Sequence, residues 1–194
     1  MKKTIWILIF MIAMSCGGEK IMIRNAAPGN GYIIGTFTLI DEKPRYNGYG
    51  LLYKPEDKKL GFFDDSFGIS ISRGLPHQKV ENKRVYLFIK EHKVGDYEFF
   101  NYILSTNLGY SQKSIKSKKE FSIPFKVQED SINYIGDFTF YPNGNENGNL
   151  FVIQDKFEQD LPKLKEKYPR KNWKIVQNKT LNKGVLNESL VEFK

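Results

Sequence analysis

Apolar residues recur along the chain in short runs that carry a β-strand pattern. The runs are rich in Tyr, Phe, Ile and Val, and Gly, Asn, Asp and Pro separate them at intervals of roughly ten residues, as in all-β sandwiches. The predicted strands are Tyr32–Ile40, Tyr49–Lys54, Leu60–Phe63, Phe67–Ser72, Val85–Lys90, Tyr97–Leu104, Phe121–Val127, Ile132–Tyr141 and Leu150–Gln154. The pattern predicts a mainly β fold, an antiparallel β-sandwich.

One helical pattern follows these strands near the C-terminal end of the chain. Its apolar residues, Leu161, Leu164 and Tyr168, fall on one face of a helix. The lysines between them fall outside that face. Asp155 can cap this helix, and Asp160 is a competing cap because Pro162 is tolerated only in a first turn. Pro169 ends the helix, and Trp173–Gln177 is predicted to return as a strand.

The first sixteen residues have the charge order of a secretory leader. Lys2 and Lys3 precede an apolar run, Ile5–Met14, and small residues follow it. As a helix that run would reach about 15 Å, half of a hydrocarbon core of about 30 Å, so it is too short for a stable span. The pattern predicts an exported protein.

Residues Ala13-Met14-Ser15-Cys16 resemble the lipobox of bacterial lipoproteins. The resemblance implies that Cys16 becomes the acylated mature N-terminus and that two or three acyl chains anchor the protein in the cell envelope. Gly17 after the cysteine implies delivery to the outer membrane. The alternative is an ordinary leader that is cleaved elsewhere, which would leave Cys16 incidental.

These patterns divide the chain into segments with different expected roles. The expected segments are a signal peptide (1–15), a lipidated N-terminus and tether (16–30), a β-sandwich domain (31–154), a helix and strand packed on the sandwich (155–177) and a polar tail (178–194). Cys16 is the single cysteine, so neither an internal disulfide nor a cysteine metal site can form. Packing of 15 Phe and 11 Tyr must therefore stabilise the domain.

Two further stretches carry a family resemblance. Val94-Gly95-Asp96-Tyr97-Glu98-Phe99 connects two predicted strands, and FSIPFKV (Phe121–Val127) precedes Tyr134-Ile135-Gly136. Together they resemble small bacterial lipoproteins of unknown function with a prealbumin-like or immunoglobulin-like sandwich. In such sandwiches a tyrosine after a Gly-Asp corner can hydrogen-bond back to the backbone and fix the loop, a role the resemblance gives to Gly95, Asp96 and Tyr97. The resemblance implies no catalytic residues.

No arrangement of residues indicates catalysis, a cofactor or a metal. His77 and His92 are the two histidines, and both are predicted to be solvated loop residues outside any nucleophile or zinc motif. The run Asn143-x-Asn145-x-Asn147-Gly148 has Asn where a calcium loop begins with Asp, and it is predicted to be a hairpin loop. The expected protein is not an enzyme.

The functional prediction is a binding or assembly module whose partner is an envelope protein or a glycan. The formal charge of +8 does not favour nucleic acid as a partner, because an exported chain without a recognisable binding motif is not expected to meet it. One alternative is carbohydrate binding or processing that uses Asp64, Asp65 and surface tyrosines. Another is contact with anionic lipid or lipopolysaccharide through a lysine-rich loop, whose basic residues are Lys113, Lys116, Lys118 and Lys119.

Overall fold

The structure, a computed structural model, describes residues 25–40, 46–57, 67–72, 76–107, 112–116, 121–148, 150–186 and 190–194. The strands in chain order are β1 (Asn30–Ile40), β2 (Gly48–Pro55), β3 (Phe67–Ser72), β4 (Gln78–Val80), β5 (Lys83–Lys93), β6 (Gly95–Asn107), β7 (Gln112–Lys116), β8 (Ile123–Val127), β9 (Ile132–Phe140), β10 (Phe151–Gln154), β11 (Val176–Asn178) and β12 (Val191–Phe193). The helix α1 (Phe157–Lys167) follows β10, and a short 3-10 turn precedes β11. Across these ranges, no helix combines the length and the apolar character that crossing a bilayer requires.

Sheet 1 is a mixed sheet with the strand order β12-β10-β9-β1-β5-β4, and β11 also pairs with β9. β1 pairs with β5 antiparallel along its whole length, and it pairs with β9 in parallel. β10 with β12 and β9 with β11 are parallel as well. The sequence pattern predicted antiparallel pairing throughout. Parallel neighbours need long crossover connections, and the chain between β1 and β9 supplies one because it builds most of the second sheet.

Sheet 2 is antiparallel in all its pairings, with the order β3-β2-β6-β7 and with β8 also paired to β6. The long strand β6 holds this sheet together. β8 pairs with its first residues, Gly95 to Phe99, and β7 pairs with its last residues, Ile103 to Asn107.

A core of aromatic and branched side chains fills the space between the two sheets. The largest side chains in it are Phe37, Tyr49, Tyr53, Phe99, Phe138, Phe140 and Phe151, all with less than 2% of their surface exposed. Many of these rings meet at an angle, which is the geometry aromatic pairs prefer. The predicted mainly β sandwich with one helix is therefore confirmed.

Helix α1 covers the outer face of sheet 1 over its central strands β1 and β9, which are buried on both faces. Leu164 is fully buried there against Ile34 and Tyr134, and Tyr168 packs on the same cluster, as predicted. Leu161 is only half-buried and lies outside the cluster, contrary to the prediction. The predicted caps differ too, because Lys156 is the N-cap residue and Asp160 is buried within the helix.

The segment predicted to be a polar tail belongs to the sandwich. Leu181, Leu190 and Val191 are buried in the core between the sheets. β12 pairs with β10, and Val185 forms a two-way backbone bridge with Ser122. Scattered apolar residues in a polar segment do not show a strand period, so the sequence pattern did not predict this part. The other predicted strands within the described ranges coincide with observed strands, but the predicted strand Trp173–Gln177 is extended only from Val176, because Trp173–Ile175 is the 3-10 turn; Leu60–Phe63 lies outside the described ranges.

Gly136 marks a bulge where β1 and β9 change register. The pairing shifts between Ile34 and Thr36, and Gly136 has φ of +123°, a conformation that side chains rarely adopt. A Cβ on Gly35 would lie 2.5 Å from the Gly136 carbonyl oxygen. The two backbones approach closely here, and both positions need glycine.

Candidate functional site

Several residues singled out in the sequence lie outside the described ranges. These residues are Cys16, Asp64, Asp65, Lys118 and Lys119. Lys113 and Lys116 belong to β7, so this part of the predicted lysine-rich loop is a strand that pairs with the end of β6. The side chain of Lys116 is exposed at the edge of sheet 2.

The Gly95-Asp96-Tyr97 corner opens β6 directly after the β5–β6 turn. The Tyr97 hydroxyl donates a hydrogen bond to the Lys93 carbonyl oxygen at 3.0 Å, four residues upstream. Burial raises the pKa of Tyr97, so its hydroxyl keeps the proton that it donates. The Asp96 carboxylate lies 3.4 Å from Lys126 Nζ on the exposed side of the corner. The tyrosine thus ties the turn to the strand that enters it.

His92 is not a solvated loop residue, which corrects the sequence prediction. It lies in β5, half-buried, and its Nε2 is hydrogen-bonded to the Tyr53 hydroxyl across 2.5 Å. Burial lowers the pKa of His92, and the charge of Lys90 lowers it further, while the opposite charge of Glu91 raises it in part. Burial raises the pKa of Tyr53, so a protonated phenol faces a neutral imidazole. His77, by contrast, is exposed as predicted.

The ring of Phe67 is partly exposed, at 38%, beside this histidine. It stacks on Tyr53 with 5.6 Å between ring centres and meets the His92 ring edge-on at 4.7 Å. Tyr97 joins the same ring cluster from the other side. The result is an aromatic surface whose inner rings are buried and whose outer rings, those of Phe67 and His92, reach solvent.

An open groove of about 570 Å³ lies next to these rings, at the β5–β6 turn. We call it the turn groove; its lining includes Glu56, Asp57, Lys93, Val94, Asp96 and Tyr97. Val94 is an exposed apolar side chain, and the three carboxylates give the groove an acidic rim in a protein of positive net charge. Concave sites with an apolar wall and a few convergent polar groups are typical ligand sites. The turn groove is therefore the candidate functional site.

Asp137 forms a second polar cluster, buried between sheet 1 and α1. It is 0% exposed, and its Oδ1 accepts from the hydroxyls of Thr36 at 2.8 Å and Thr38 at 2.7 Å. Its Oδ2 accepts from the Thr139 hydroxyl at 2.7 Å and from Lys156 Nζ at 2.5 Å. Both oxygens have partners, as a buried carboxylate requires.

Asp160 belongs to the same cluster from the helix side. It is 2% exposed, and its Oδ2 lies 2.8 Å from the Tyr134 hydroxyl and 2.7 Å from the Thr36 hydroxyl. Lys163 Nζ lies 3.3 Å from its Oδ1. The Thr36 hydroxyl stands between two carboxylates but has one hydrogen, so it donates to one of them at a time. Both carboxylates are closed off from solvent, and the cluster holds the helix on the sheet.

Sequence reasoning missed this cluster, although one signal for it existed. Tyr32, Ile34, Thr36 and Thr38 alternate along the outer face of β1, so the change from apolar to threonine side chains marked a polar patch on that face. The burial of the patch depends on α1, which arrives much later in the chain.

The asparagine-rich run joins β9 to β10 as a hairpin loop. Gly144 and Gly148 have φ of +82° and +80°, and Asn145 Nδ2 donates to Glu192 Oε2 at 2.8 Å. In the part of the chain that the structure describes, no three His, Cys, Asp or Glu side chains are grouped as metal ligands.

Comparison with family models finds no match, and neither does comparison with curated proteins. Among solved structures, the chain is similar to a leucine-rich repeat protein from Bacteroides thetaiotaomicron, with 8% sequence identity and a TM-score of 0.35. The similarity covers 58% of this chain and 14% of that one. A likeness at this level carries no argument about fold or function.

Proposed function

We propose that this protein is a lipid-anchored protein of the outer membrane and a non-enzymatic binding or assembly module. The leader and the lipobox-like Cys16 support the anchor. The turn groove carries the proposal of binding, because its acidic rim adjoins the aromatic surface through Tyr97, which lines the groove and contacts the rings of Phe67 and His92.

The remaining titratable clusters of the described chain have structural partners. Asp137 and Asp160 hold α1 on sheet 1, and both are closed to solvent. His92 is hydrogen-bonded to the buried phenol of Tyr53 instead of facing a nucleophile. General acid–base catalysis needs such groups within reach of a substrate, so this arrangement supports binding over turnover.

Mass spectrometry of the protein isolated from membranes tests the anchor. We expect the mature chain to begin at Cys16 and to carry two or three acyl chains, since a single acyl chain binds membranes only marginally. Protease treatment of intact cells then separates a surface-facing domain, which is digested, from a periplasmic one, which is protected until the envelope is opened. A mature chain with an unmodified N-terminus would refute the anchor.

Photo-crosslinking in cells tests binding at the turn groove. A photoreactive residue replaces Val94, which is 46% exposed in the groove, and a control replaces Ile115, which is 48% exposed on β7. We expect a defined crosslinked species from position 94 that weakens when Phe67→Ala is added. Equal labelling from both positions would show collisional contact and would contradict a site at the groove.

Carbohydrate is the second candidate ligand, because the carboxylates of Glu56 and Asp57 line the turn groove together with Tyr97, whose ring adjoins the partly exposed Phe67 ring. A sugar can pack an apolar face on such a ring while its hydroxyls donate to carboxylates. Binding to an envelope glycan panel that is lost in both Phe67→Ala and Asp57→Asn would favour this candidate. Turnover of a glycan, abolished by Asp64→Asn or Asp65→Asn, would replace the non-enzymatic proposal with carbohydrate processing.

A further inference from the structure

The chain enters the fold beside the C-terminal end of α1. The Tyr32 hydroxyl donates to the Asn25 carbonyl oxygen at 3.3 Å, and Lys171 Nζ lies 3.8 Å from the centre of the same ring. Ala26 packs on the apolar cluster under the helix, together with Trp173. The first described residues and the segment after α1 therefore share one small region of the surface.

Positive charge is concentrated in that region. Residues 163–174 contain six Lys or Arg and one Glu. We call the outer part of this group the basic end; its residues are Lys165, Lys167, Arg170, Lys171 and Lys174. Lys165, Arg170 and Lys174 are exposed, while Lys167 donates to the Leu87 carbonyl oxygen at 3.1 Å. Glu91 is the carboxylate that faces Lys171, and it also accepts from the Ala27 backbone at 2.8 Å.

Helix electrostatics account for only part of this concentration. Cations in a last helical turn interact favourably with the helix dipole, and Lys165 and Lys167 occupy that turn. Arg170 and Lys174 follow the helix, where the dipole effect has fallen off. Their positive charge adds to the same exposed surface.

We propose that the basic end lies on the anionic phospholipid headgroups of the bilayer in which the protein is anchored. This inference rests on the proposed anchor at Cys16. The chain from Cys16 to Asn25 spans at most about 30 Å when fully extended, so the anchor keeps the basic end close to the membrane surface. Attraction between a lysine-rich surface and anionic lipid acts within about one Debye length, or about 8 Å at physiological salt, and a tether of this length allows the basic end to come that close.

Vesicle binding without acyl chains tests this contact separately from the anchor. Every described strand and both apolar clusters lie between residues 25 and 194, so a chain that begins at Gly17 keeps the whole of this fold. Its partition onto phosphatidylcholine vesicles with and without phosphatidylglycerol is measured by flotation at several salt concentrations. We expect binding that requires phosphatidylglycerol and declines as salt rises.

Two matched double variants locate the contact. Lys165→Gln with Lys174→Gln should weaken partition by about 25-fold, or about fivefold for each lysine removed. Lys113→Gln with Lys116→Gln removes the same charge from β7 and should change partition by less than about twofold. Unfolding midpoints of both variants should match that of the unchanged protein, since Lys165, Lys174 and Lys116 are exposed.

Three results would overturn the inference. The first is unchanged partition of the Lys165/Lys174 variant. The second is a larger loss in the β7 variant, which would favour the lysine-rich segment instead. The third is equal binding to a soluble polyanion such as dextran sulfate, which would indicate a generic anion surface. An unacylated Cys16 in the mature protein would refute the anchor alone, because vesicle binding is measured without acyl chains.

Discussion

Replacing Tyr134 by phenylalanine deletes a single oxygen atom from the cluster that holds α1 on sheet 1. Tyr134 is 0% exposed, and its hydroxyl donates to Asp160 Oδ2 at 2.8 Å. Asp160 is buried as well, so water cannot replace the lost donor without opening the helix. Phenylalanine keeps the ring and its contact with Phe157, whose centre is 5.4 Å away. The substitution therefore isolates one hydrogen bond to a buried carboxylate.

The expected loss in the free energy of unfolding is about 1.5–3 kcal/mol, the range for hydrogen bonds to charged groups. Tyr97→Phe is the matched control, because it removes the same atom from a bond to the neutral Lys93 carbonyl. That bond lies at a partly exposed turn, where water can take the place of the hydroxyl. We expect about 1 kcal/mol for the control. The difference between the two variants measures the effect of the buried charge.

Urea unfolding followed by tryptophan fluorescence gives both values, since Trp173 packs on the cluster under α1. Burial and the charge of Asp160 raise the pKa of Tyr134. The folded state therefore keeps a proton that the unfolded state loses above about pH 10, and this contribution to stability is lost as pH rises beyond that value. The alkaline loss should be smaller in Tyr134→Phe. A Tyr134→Phe protein that is as stable as the unchanged protein, or less affected than Tyr97→Phe, would refute the reasoning.

Three further substitutions test other parts of the fold. Gly136→Val should lower the free energy of unfolding by about 2 kcal/mol or more, because φ is +123° and a Cβ would lie 3.3 Å from Ile153. In the control Gly68→Ala a Cβ makes only ordinary contacts, so the loss in the same urea experiment should be much smaller. Asp137→Ala should cost about 2–3 kcal/mol because it leaves buried threonine hydroxyls without their acceptor and removes the partner of the partly exposed Lys156 ammonium, whereas an equally stable variant would show that the carboxylate is dispensable. The pKa of His92 is lowered in the folded state, so the unfolded state takes up a proton first and stability should fall from about pH 7 towards pH 5. The urea midpoint of His92→Gln should fall less over this range. Midpoints of the two proteins that fall in parallel with pH would contradict this.

The strands that carry the core could be predicted because they are dense runs of branched and aromatic residues bounded by turn residues. In β1 and β9, apolar side chains continue on both faces, and each strand was placed within one residue at either end except for the start of β1. The strands that were missed are β4, β7 and β12, which have three to five residues and lie at sheet edges. Edge strands are short and polar in order to resist further pairing, so their sequences have no clear period.

The candidate site was less predictable because it depends on which segments meet. Tyr97 was found from its local corner, where the acceptor is four residues away. His92 was missed, although its position could have been read from the period of β5. Tyr86 and Phe88 point into the core. Because every second residue of a strand lies on the same face, His92 also belongs to the inner face of β5. A long polar stretch after Phe88 hid that continuation.

The cluster around Asp137 and Asp160 also has a consequence for the position of the basic end. Apolar contacts of Leu164 alone would tolerate a small slide of α1 along the sheet, since dispersion forces are not directional. The bonds from Tyr134 and Thr36 to Asp160 form in one position only, and a slide would leave a buried carboxylate without donors. A buried charge of this kind adds little net stability, yet it specifies one arrangement. It thereby fixes where α1 ends, next to Tyr32 and Asn25, so that the basic end and the first described residues lie in the same region.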